Sequence, residues 1–426
     1  MIQTLGCKVN QYDSERLRAR LLRLGFRSCS GENGEPDLII VNTCSVTSES
    51  DRKGRQLIRK LIRRFPTARV AVTGCYSERK PGEVLRIPGV GEVVRLEDQE
   101  AWVQRAAEEL GWGCADQDAL GEPGEGIELF EEHTRAFVKI QDGCDLKCTF
   151  CSIPQSRGTA RSRPLPEIVA ECATLVRRGY PEIVLCGICL GFYGQGTDIR
   201  LPRLVRAVAE IEGIQRMRIS SLEPQDVSDD LFAVMTEHPE IVCPHLHLPL
   251  QSGSNAILRR MKRPYTAEYF QERVEHARGL IPHFEVSTDI MVGFPGESEE
   301  DFERTLAAVK ANRFNKVHSF RFSVREDTPA VRLKEHLPPA VIEDRRRILD
   351  EVASAVADEV KQGYIGSVLP VLPETPEDEY ATGFTPNYLR VDFTANRPIP
   401  PGRPVMVKLT GLEKGRLRGE AWPANA

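Results

Sequence analysis

Apolar and polar residues alternate in two distinct patterns along the first hundred residues. Short apolar runs predict strands at Met1–Leu5, Leu38–Asn42, Val70–Gly74 and Val90–Leu96. Between them, apolar positions spaced three and four residues apart predict helices at Ser14–Leu24, Ser48–Phe65 and Gln99–Leu110. Strands that are separated by helices pair in parallel, so we expect a small parallel α/β sheet here.

The same alternation resumes after residue 134. Apolar runs predict six strands, at Ala136–Gln141, Glu182–Cys186, Arg216–Ser221, His245–Leu250, Phe284–Phe294 and Lys316–Phe322. Helical patterns lie between these runs, and a longer one follows at Ala340–Gln362. Six strand–helix units predict a central partial (β/α)6 TIM-like barrel, whose chemistry belongs at the carboxyl ends of the strands.

The helical pattern disappears near the end of the chain. Short β-type runs alternate there with Pro, Gly and Asn and predict a small antiparallel β-barrel. The segment 112–133 carries seven acidic and no basic residues and is typical of a linker. The predicted α/β organisation is therefore an N-terminal domain at 1–111, an acidic linker at 112–133, a barrel domain at 134–362 and a β-barrel domain at 363–426.

Composition and charge narrow the class of protein. No apolar run reaches the length of about 18 residues that a membrane span needs, and the first residues lack a secretion signal. We therefore expect a cytoplasmic protein without a membrane partner. In that reducing compartment, 12 cysteines predict metal ligands or reactive thiols before disulfides. The net charge of −5 excludes unspecific coating of nucleic acid but not an RNA partner, which needs only a local basic face.

The strongest local signal is a cysteine loop directly after the first strand of the predicted barrel. It reads Cys144-Asp-Leu-Lys-Cys148-Thr-Phe-Cys151. Three thiolates in one loop can hold three irons of a 4Fe–4S cube and leave the fourth iron open to a substrate or cofactor. Zinc is the alternative, but zinc loops usually use Cys-x2-Cys pairs and four ligands. No neighbouring His or Cys in the sequence completes such a set.

Three further cysteines share one context. Cys7, Cys44 and Cys75 each follow a predicted strand of the N-terminal sheet. Because the carboxyl ends of parallel strands meet at one edge, the three thiols can converge there. Such a set would again offer three thiolates and an open iron. Taken singly, each cysteine is also compatible with a small buried residue.

These cysteine contexts resemble those of a known family. The Cys144 loop, with Phe150 before its third cysteine, resembles the loop of the radical S-adenosylmethionine superfamily. Together with the three N-terminal contexts, it resembles the methylthiotransferase family within that superfamily. In the central unit, the likeness extends to Ile219-Ser-Ser-Leu-Glu-Pro224, His245–Ser254 and Thr288–Glu297. In the C-terminal unit, Gly383–Tyr388 and Leu417–Glu420 resemble the family's RNA-binding TRAM barrel.

The resemblance implies two 4Fe–4S clusters and S-adenosylmethionine as cofactors. It assigns a radical-generating cluster to Cys144, Cys148 and Cys151, and an auxiliary cluster tied to sulfur insertion to Cys7, Cys44 and Cys75. The cofactor would chelate the open iron of the first cluster and be cleaved to a 5′-deoxyadenosyl radical. Positions that match the superfamily's cofactor contacts are Phe150, Gly187, Glu223, Asp289 and Gly293. Cys186 and Cys189 depart from the family pattern, where Thr and Asn are usual, and their part in the chemistry stays open.

The residues around the first cysteine indicate a branch of the family. Gly6-Cys-Lys-Val-Asn-Gln-Tyr-Asp-Ser-Glu15 is similar to the branch that acts on N6-threonylcarbamoyladenosine next to the anticodon of tRNA. The isopentenyladenosine branch usually has Gly-Cys-Gln-Met-Asn, and the branch that modifies a ribosomal-protein aspartate usually has Gly-Cys-Pro-Lys-Asn. Both activities remain alternatives, as does a non-catalytic iron–sulfur RNA-binding protein.

The branch implies a reaction and its partners. The enzyme would methylthiolate carbon 2 of the modified adenine, with the tRNA anticodon loop as substrate. It would need an electron donor such as flavodoxin or ferredoxin, and a sulfur donor.

Two basic regions are candidates for RNA contact. The predicted helix after Cys44 carries Arg52, Lys53, Arg55, Arg59, Lys60, Arg63 and Arg64, which form either a phosphate-binding face or an ordinary solvated one. In the C-terminal barrel, basic residues interleave with Phe384, Tyr388 and Phe393. Because bases of single-stranded loops stack on aromatic rings, we expect these three rings to face RNA.

Overall fold

A computed structural model describes residues 1–30, 34–110, 127, 130, 134–377, 379–399 and 402–422. The strands are β1 Ile2–Thr4, β2 Leu38–Thr43, β3 Arg69–Gly74, β4 Glu92–Val93, β5 Arg135–Lys139, β6 Gln141–Asp142, β7 Arg161–Ser162, β8 Glu182–Cys186, β9 Arg216–Ile219, β10 His245–His247, β11 Glu285–Val292, β12 Lys316–Arg321, β13 Val368–Glu377, β14 Tyr380–Phe384, β15 Arg390–Thr394, β16 Val405–Glu413 and β17 Arg416–Ala421. The helices are α1 Lys8–Arg23, α2 Ser48–Arg64, α3 Cys75–Arg79, α4 Pro81–Leu85, α5 Gln99–Glu109, α6 Ile153–Arg157, α7 Leu165–Arg177, α8 Leu201–Ala209, α9 Asp229–Glu237, α10 Asn255–Arg260, α11 Ala267–Leu280, α12 Glu299–Asn312 and α13 Pro339–Gln362. Most of the predicted linker, and Cys114 within it, lies outside the described residues, and the predicted domain boundaries stay predictions.

The N-terminal sheet has the order β1-β2-β3-β4 and all its pairs are parallel, as predicted. One face packs on Leu17, Leu21 and Trp102, and the other packs on Ile58 and Leu61. Helix α1 begins at Lys8, earlier than the predicted start at Ser14. The early turns were missed because they bury polar residues among the apolar ones, which breaks the helical pattern.

Six parallel strands form the central unit. Strands β5, β8 and β9 make one sheet and β10, β11 and β12 make another. Parallel bridges between Met217 and Val242 and between Ser221 and His247 connect the two sheets. This arrangement confirms the predicted partial barrel. A short antiparallel β6–β7 pair lies beside the first strand, and the sequence pattern did not predict it. None of the described helices is long and apolar enough to cross a membrane.

The C-terminal unit is a closed barrel in the order β13-β14-β15-β17-β16. Its core contains Val371, Val391, Phe393, Val407 and Leu417. The barrel was predicted to be antiparallel, but the β15–β17 pair is parallel. A closed ring with an odd number of strands cannot alternate in direction throughout, so one parallel pair is unavoidable in this topology.

Buried arginines fix this barrel to the amino ends of the central strands. Arg216 Nη1 donates to the carbonyl oxygen of Phe384 at 3.2 Å, and Arg218 Nη1 donates to that of Pro386 at 2.9 Å. Glu182 balances both charges, with Arg218 Nε 2.9 Å from its Oε1. The ring of Tyr388 lies over the Arg218 guanidinium, 4.4 Å from ring centroid to Cζ.

The same docking corrects one prediction. Phe393 is only 1% exposed because it fills the barrel core. Phe384 and Tyr388 stack on each other, and Tyr388 also contacts His245 of the central unit. The three rings therefore hold the barrel together and in place, and they do not present a surface to RNA.

Candidate functional site

The three N-terminal cysteines lie at one edge of the first sheet. Cys7 caps the start of α1 after β1, Cys44 follows β2, and Cys75 is the first residue of α3 after β3. Since β1, β2 and β3 are adjacent and parallel, all three cysteines follow strand ends at one edge of the sheet, and Cys7 and Cys75 are close enough to Cys44 to influence its charge. Their role as cluster ligands stays a prediction. We call this set the N-terminal cysteine site.

Close backbone packing shapes this site. Gly6 has a φ of +119°, and a Cβ at this position would lie 2.9 Å from Cβ of Cys44 and 3.2 Å from its Sγ. Asn10 clamps the strand ends, because its Nδ2 donates to the carbonyl oxygens of Leu5 at 2.8 Å and Thr43 at 3.0 Å. The Gly-Cys-x-x-Asn sequence thus supplies both the close approach and the clamp.

The thiols of the N-terminal cysteine site influence one another electrostatically. Burial, together with the neighbouring Cys7 and Cys75, raises the pKa of Cys44 to about 11. Burial also raises the pKa of Cys75, while the Arg157 guanidinium opposes that shift. Ionising the buried Cys44 and Cys75 beside the exposed Cys7 is costly without a cation, so this site favours a positively charged occupant.

The second cysteine set occupies the loop between β6 and α6, at the carboxyl end of the first barrel strands. We call Cys144, Cys148 and Cys151 the loop cysteine site. Thr149 anchors its centre, because the Thr149 amide donates to the carbonyl oxygen of Met261 at 3.1 Å and its hydroxyl donates to that of Arg260 at 3.0 Å. The loop is therefore held against the end of α10.

Donors are aimed at all three sulfurs of the loop cysteine site. The amides of Leu146 and Ile153 donate to Sγ of Cys144 and Cys151, each at 3.4 Å. Arg263 Nη1 donates to Sγ of Cys148 at 3.1 Å. A hydrogen bond with Cys189, the Leu146 amide and Arg263 together hold the pKa of Cys144 below its usual value. Burial raises the pKa of Cys151 to about 12.

These donor sets fit iron–sulfur clusters better than a single ion. All described cysteines are free thiols. Hydrogen bonds from N–H groups to sulfur stabilise thiolates, the form in which cysteine binds iron. Within the described ranges, no three Cys, His, Asp or Glu side chains converge to hold one metal ion. A 4Fe–4S cube instead needs its three thiolates on three different irons.

Arg157 connects the N-terminal cysteine site to the helix that follows the loop cysteine site. It lies at the end of α6, shortly after Cys151, and its side chain is fully buried. Its Nε donates to Sγ of Cys75 at 3.3 Å, and its Nη2 donates to Oδ1 of Asn10 at 2.5 Å. Asp13 and Asp142 balance its charge, with Nη1 2.9 Å and 3.1 Å from their respective Oδ2 atoms.

Three predicted cofactor contacts surround the loop cysteine site. Phe150 packs edge-to-face on Phe294, with ring centroids 6.4 Å apart. Glu223 forms an ion pair with Arg263, which in turn contacts Cys148. Gly187 follows β8, and a Cβ there would lie 2.7 Å from Cδ2 of Leu190. Their direct contact with a cofactor stays a prediction.

The other two predicted contacts lie on and after β11. Asp289 Oδ1 is 3.3 Å from Nε2 of His247 on the neighbouring strand. Gly293 has a φ of +76°, and its amide donates to Oε2 of Glu297 at 2.8 Å. A Cβ at Gly293 would lie 2.5 Å from Cγ1 of Ile342, so the backbone passes directly against α13.

Cys186 and Cys189 occupy different environments. Cys186 ends β8 in the main core, where burial raises its pKa. Cys189 lies beside the loop cysteine site, and its hydrogen bond with Cys144 is the main reason that its pKa is raised. Its amide donates to Oε1 of Gln141 at 2.9 Å. Cys189 is thus a fourth thiol next to the loop, in a turn that it also helps to fix.

Sequence reasoning missed Asn10, Arg157 and Arg263. The first two lie close in sequence to predicted cysteines, three residues after Cys7 and six after Cys151, and that proximity was the available signal. Arg263 reaches Cys148 across a long separation in sequence, which no local pattern reveals.

Two family models match the chain. Residues 1–94 match the Uncharacterized protein family UPF0004, and residues 138–309 match the Radical SAM superfamily. Among solved structures, the radical S-adenosylmethionine methyltransferase TsrM from Kitasatospora setae, with cobalamin and a 4Fe-4S cluster bound, has a TM-score of 0.52. It is 15% identical over 71% of this chain and 67% of that chain, so the likeness concerns the fold alone.

Curated relatives match nearly the whole chain. The threonylcarbamoyladenosine tRNA methylthiotransferase MtaB of Bacillus subtilis is 37% identical over 95% of this chain and 92% of its own length. MtaB of Chlamydia pneumoniae is 38% identical over 98% of this chain and 96% of its own length. The tRNA-2-methylthio-N(6)-dimethylallyladenosine synthase of Aquifex aeolicus is 34% identical over 98% of this chain and 97% of its own length. This chain therefore belongs to the radical S-adenosylmethionine methylthiotransferase family.

Proposed function

We propose that this protein methylthiolates carbon 2 of N6-threonylcarbamoyladenosine in tRNA, giving 2-methylthio-N6-threonylcarbamoyladenosine. One observation carries the proposal: two separate three-cysteine sets lie in a chain that resembles enzymes named for this reaction over almost its full length, and Arg157, on the helix after the second set, contacts Cys75 of the first. A radical site and a sulfur-handling site are the two parts that such a reaction needs. A tRNA substrate also supports a cytoplasmic location.

The loop cysteine site would bind the radical-generating 4Fe–4S cluster through Cys144, Cys148 and Cys151. When bound, that cluster supplies the electron that cleaves S-adenosylmethionine. The amides of Leu146 and Ile153 and the Arg263 guanidinium would hold the thiolates in place. Glu223 would orient Arg263, and Phe150, Gly187, Asp289 and Gly293 would line the cofactor side of the barrel.

The N-terminal cysteine site would bind the auxiliary 4Fe–4S cluster through Cys7, Cys44 and Cys75. Three thiolates leave one iron without a protein ligand, and iron is thiophilic, so this site suits a sulfur atom on its way to the substrate. Arg157 would offset the negative charge of Cys75. A reductant such as flavodoxin or ferredoxin and an external sulfur donor would complete the system.

Two exposed surfaces would contact the tRNA anticodon loop and stem. Helix α2 presents Arg52, Lys53, Arg59 and Lys60 to solvent beside Cys44. On the C-terminal barrel, Trp422 is 46% exposed, and Nζ of Lys408 lies 5.0 Å from its ring centroid. A solvent-facing ring with an adjacent cation suits a stacked base and its phosphate.

Mass spectrometry of tRNA nucleosides tests the reaction. A strain lacking this gene should accumulate N6-threonylcarbamoyladenosine and lose its 2-methylthio derivative, and the wild-type gene should restore it. Loss of 2-methylthio-isopentenyladenosine instead would assign the protein to the other tRNA branch. Unchanged nucleosides together with an unmodified ribosomal-protein aspartate would assign it to the third branch.

A second measurement separates enzymes from a non-catalytic binding protein. The anaerobically reconstituted protein should release 5′-deoxyadenosine from S-adenosylmethionine when dithionite is added. The C144A/C148A/C151A variant is the matched control and should release none. Absence of 5′-deoxyadenosine from a wild-type protein that carries its iron would contradict the enzyme assignment.

A further inference from the structure

The inner face of the partial barrel carries polar side chains that the cysteine chemistry does not use. On β11, Val286 and Ile290 pack into the main core, so the alternating residues Ser287 and Asp289 face the barrel interior. His247 on β10 is in register with Ser287. Because residues paired across neighbouring strands point to the same face, His247 also faces inward. Three polar side chains therefore meet inside the barrel.

The hydroxyl of Ser287 lies between two imidazole rings. Its Oγ is 3.0 Å from Nδ1 of His247 and 3.0 Å from Nε2 of His245. On the other edge of the His247 ring, Nε2 lies 3.3 Å from Oδ1 of Asp289. The ring of His245 in turn contacts Tyr388 of the C-terminal barrel, with ring centroids 4.9 Å apart. A continuous row of polar contacts thus leads from the docked C-terminal barrel to Asp289.

The surroundings of the two rings determine where their hydrogens lie. A lone pair on Nε2 of His247 would be repelled by the Asp289 carboxylate, so Nε2 carries the hydrogen and Nδ1 accepts from the Ser287 hydroxyl. Ser287 then accepts from Nε2 of His245. This leaves Nδ1 of His245 without a hydrogen. That nitrogen is buried and has no hydrogen-bond partner among the described residues, which agrees, because buried N–H groups rarely lack an acceptor.

The end of the row is accessible from the barrel interior. The side chain of Asp289 is 29% exposed, and that of His247 is 17% exposed. The contact with His247 uses Oδ1 of Asp289, and Oδ2 has no hydrogen-bond or ion-pair partner within the described ranges. An ionised carboxylate only accepts hydrogen bonds. Asp289 therefore offers an acceptor that is held on one side by His247 and is open on the other.

This acceptor lies next to the loop cysteine site. Arg263, which contacts that site, donates its Nε to the hydroxyl of Tyr265 at 2.9 Å. The same hydroxyl donates to the carbonyl oxygen of Pro249 at 2.6 Å. Two residues further on, the amide of Gln251 donates to the carbonyl oxygen of Asp289 at 2.8 Å. A ligand that sits against the loop cysteine site inside the barrel therefore passes close to Asp289.

We propose that His247 holds the Asp289 carboxylate so that it accepts a hydrogen bond from an N–H or O–H group of a nucleoside inside the barrel. The proposed function, on which this inference rests, brings two nucleosides there, S-adenosylmethionine and the target adenosine. Both carry such donors, on the ribose or on N6. Since His247 acts through Asp289, it is a positioning residue.

Two substitutions of His247 test the contact with Asp289 itself. The amide nitrogen of Gln reaches the place of Nε2, whereas that of Asn ends near the place of Nδ1 and leaves Asp289 without its donor. His247→Asn should weaken nucleoside binding about fivefold or more, and His247→Gln should stay within about twofold of wild type. Asp289→Ala should weaken binding about tenfold, and adding His247→Asn to it should have no further effect.

Two binding assays on the anaerobically reconstituted holoenzyme identify the nucleoside. Equilibrium dialysis measures the affinity for S-adenosylmethionine. Fluorescence anisotropy compares an anticodon stem-loop that carries N6-threonylcarbamoyladenosine with the same stem-loop abasic at that position, so the ratio of affinities reports the nucleoside and not the phosphates. Loss in the first assay that Gln rescues assigns the contact to the cofactor. Loss of the ratio that Gln rescues assigns it to the target adenosine.

A matched control and a second variant keep the test decisive. His276→Asn removes an exposed imidazole from the outer helix α11 and should change neither measurement. The inference is overturned if His247→Asn leaves both measurements unchanged, or if the Asn and Gln variants lose binding equally. If His247→Asn does not fold, Asp289→Ala decides, because wild-type binding of both nucleosides in that variant also overturns the inference.

Failure of the proposed function would have a different signature. A wild-type protein that methylthiolates an isopentenyladenosine stem-loop, and not the threonylcarbamoyladenosine one, would overturn the proposed substrate. The affinity for S-adenosylmethionine is measured without RNA, so a loss in His247→Asn that Gln rescues would still establish the role of His247. If the wild-type protein forms the expected product and neither assay responds to His247→Asn, only the role of His247 fails.

Discussion

Arg157 donates its Nε to Sγ of Cys75 at 3.3 Å, although the two residues belong to different units of the fold. The donor ends helix α6, which begins shortly after Cys151, and the acceptor begins helix α3, directly after β3. This side chain therefore links the N-terminal cysteine site to the helix that follows the loop cysteine site. A reaction that needs both sites to act on one substrate requires such a fixed relation.

We expect Arg157→Met to destabilise the N-terminal cysteine site. The change leaves Asp13 and Asp142 with less positive charge nearby, and breaking a buried ion pair costs about 3–5 kcal/mol. Bound iron should fall from about eight towards about four per chain, the content of one cluster. Thermal unfolding and iron analysis check this, with exposed Arg177→Met on α7 as the control. Full iron and unchanged unfolding in Arg157→Met would contradict it.

The two cysteine sites should load iron independently. Replacing either Cys7, Cys44 and Cys75 or Cys144, Cys148 and Cys151 by Ala should halve the bound iron, from about eight to about four per chain. The reason is that each set has its own loops and its own donors. Iron analysis combined with circular dichroism checks this. A folded triple variant that has lost all its iron would refute two independent sites.

The chemical roles of the two sites should also separate. The C7A/C44A/C75A variant should still release 5′-deoxyadenosine under dithionite but form no methylthio product, because the loop cysteine site is intact. The C144A/C148A/C151A variant should lose both activities. Product analysis by mass spectrometry checks both variants. Normal methylthio product from the first variant would move the sulfur source to the radical site or to Cys186 and Cys189.

Cys189→Ser should leave iron binding and cofactor cleavage largely intact. Cys189 makes a hydrogen bond with Cys144, and that bond raises the pKa of Cys189, so its thiol stays protonated and is a poor iron ligand. A serine hydroxyl can replace this donor. Iron analysis and 5′-deoxyadenosine release check this, with Cys144→Ser as the variant expected to lose both. Loss of about four irons from Cys189→Ser would identify it as a ligand.

Exposed residues of the C-terminal barrel should contribute to tRNA affinity. Trp422→Ala combined with Lys408→Met should weaken tRNA binding about fivefold or more, since stacking of one base contributes about 1–3 kcal/mol. Substrate-free cleavage of S-adenosylmethionine should not change. Filter binding and 5′-deoxyadenosine release check the two parts. Met406→Ala, next to the same surface, removes an exposed apolar side chain and serves as the control.

The places of the cysteines in the fold follow from local sequence pattern, while their role as cluster ligands stays a prediction. Each N-terminal cysteine follows a strand, and parallel strands share an edge, so the convergence of Cys7, Cys44 and Cys75 needs only the correct strand pattern. The Cys-x3-Cys-x2-Cys spacing alone is enough to place Cys144, Cys148 and Cys151 in one loop. The six barrel strands likewise carry strong apolar runs that local pattern detects.

Long-range contacts could not be predicted in the same way. The pairing of Arg263 with Cys148 depends on how α10 meets the loop, and binary pattern contains no such information. The error at Phe384, Tyr388 and Phe393 has a related cause. A ring on a small barrel can face the barrel core, as Phe393 does, or a neighbouring unit, as Tyr388 does, or solvent, and sequence alone does not distinguish these environments.

The arginine contacts at the base of the central barrel have a consequence for unfolding. Arg216 and Arg218 are buried only while the carbonyl groups of the C-terminal barrel accept their hydrogen bonds. If that barrel opened alone, two guanidinium groups and the paired Glu182 would have to be solvated anew, which adds to the free energy of opening. We therefore expect the two units to unfold as one cooperative block under denaturant, with the amides of β9 and β14 exchanging with solvent in a common event.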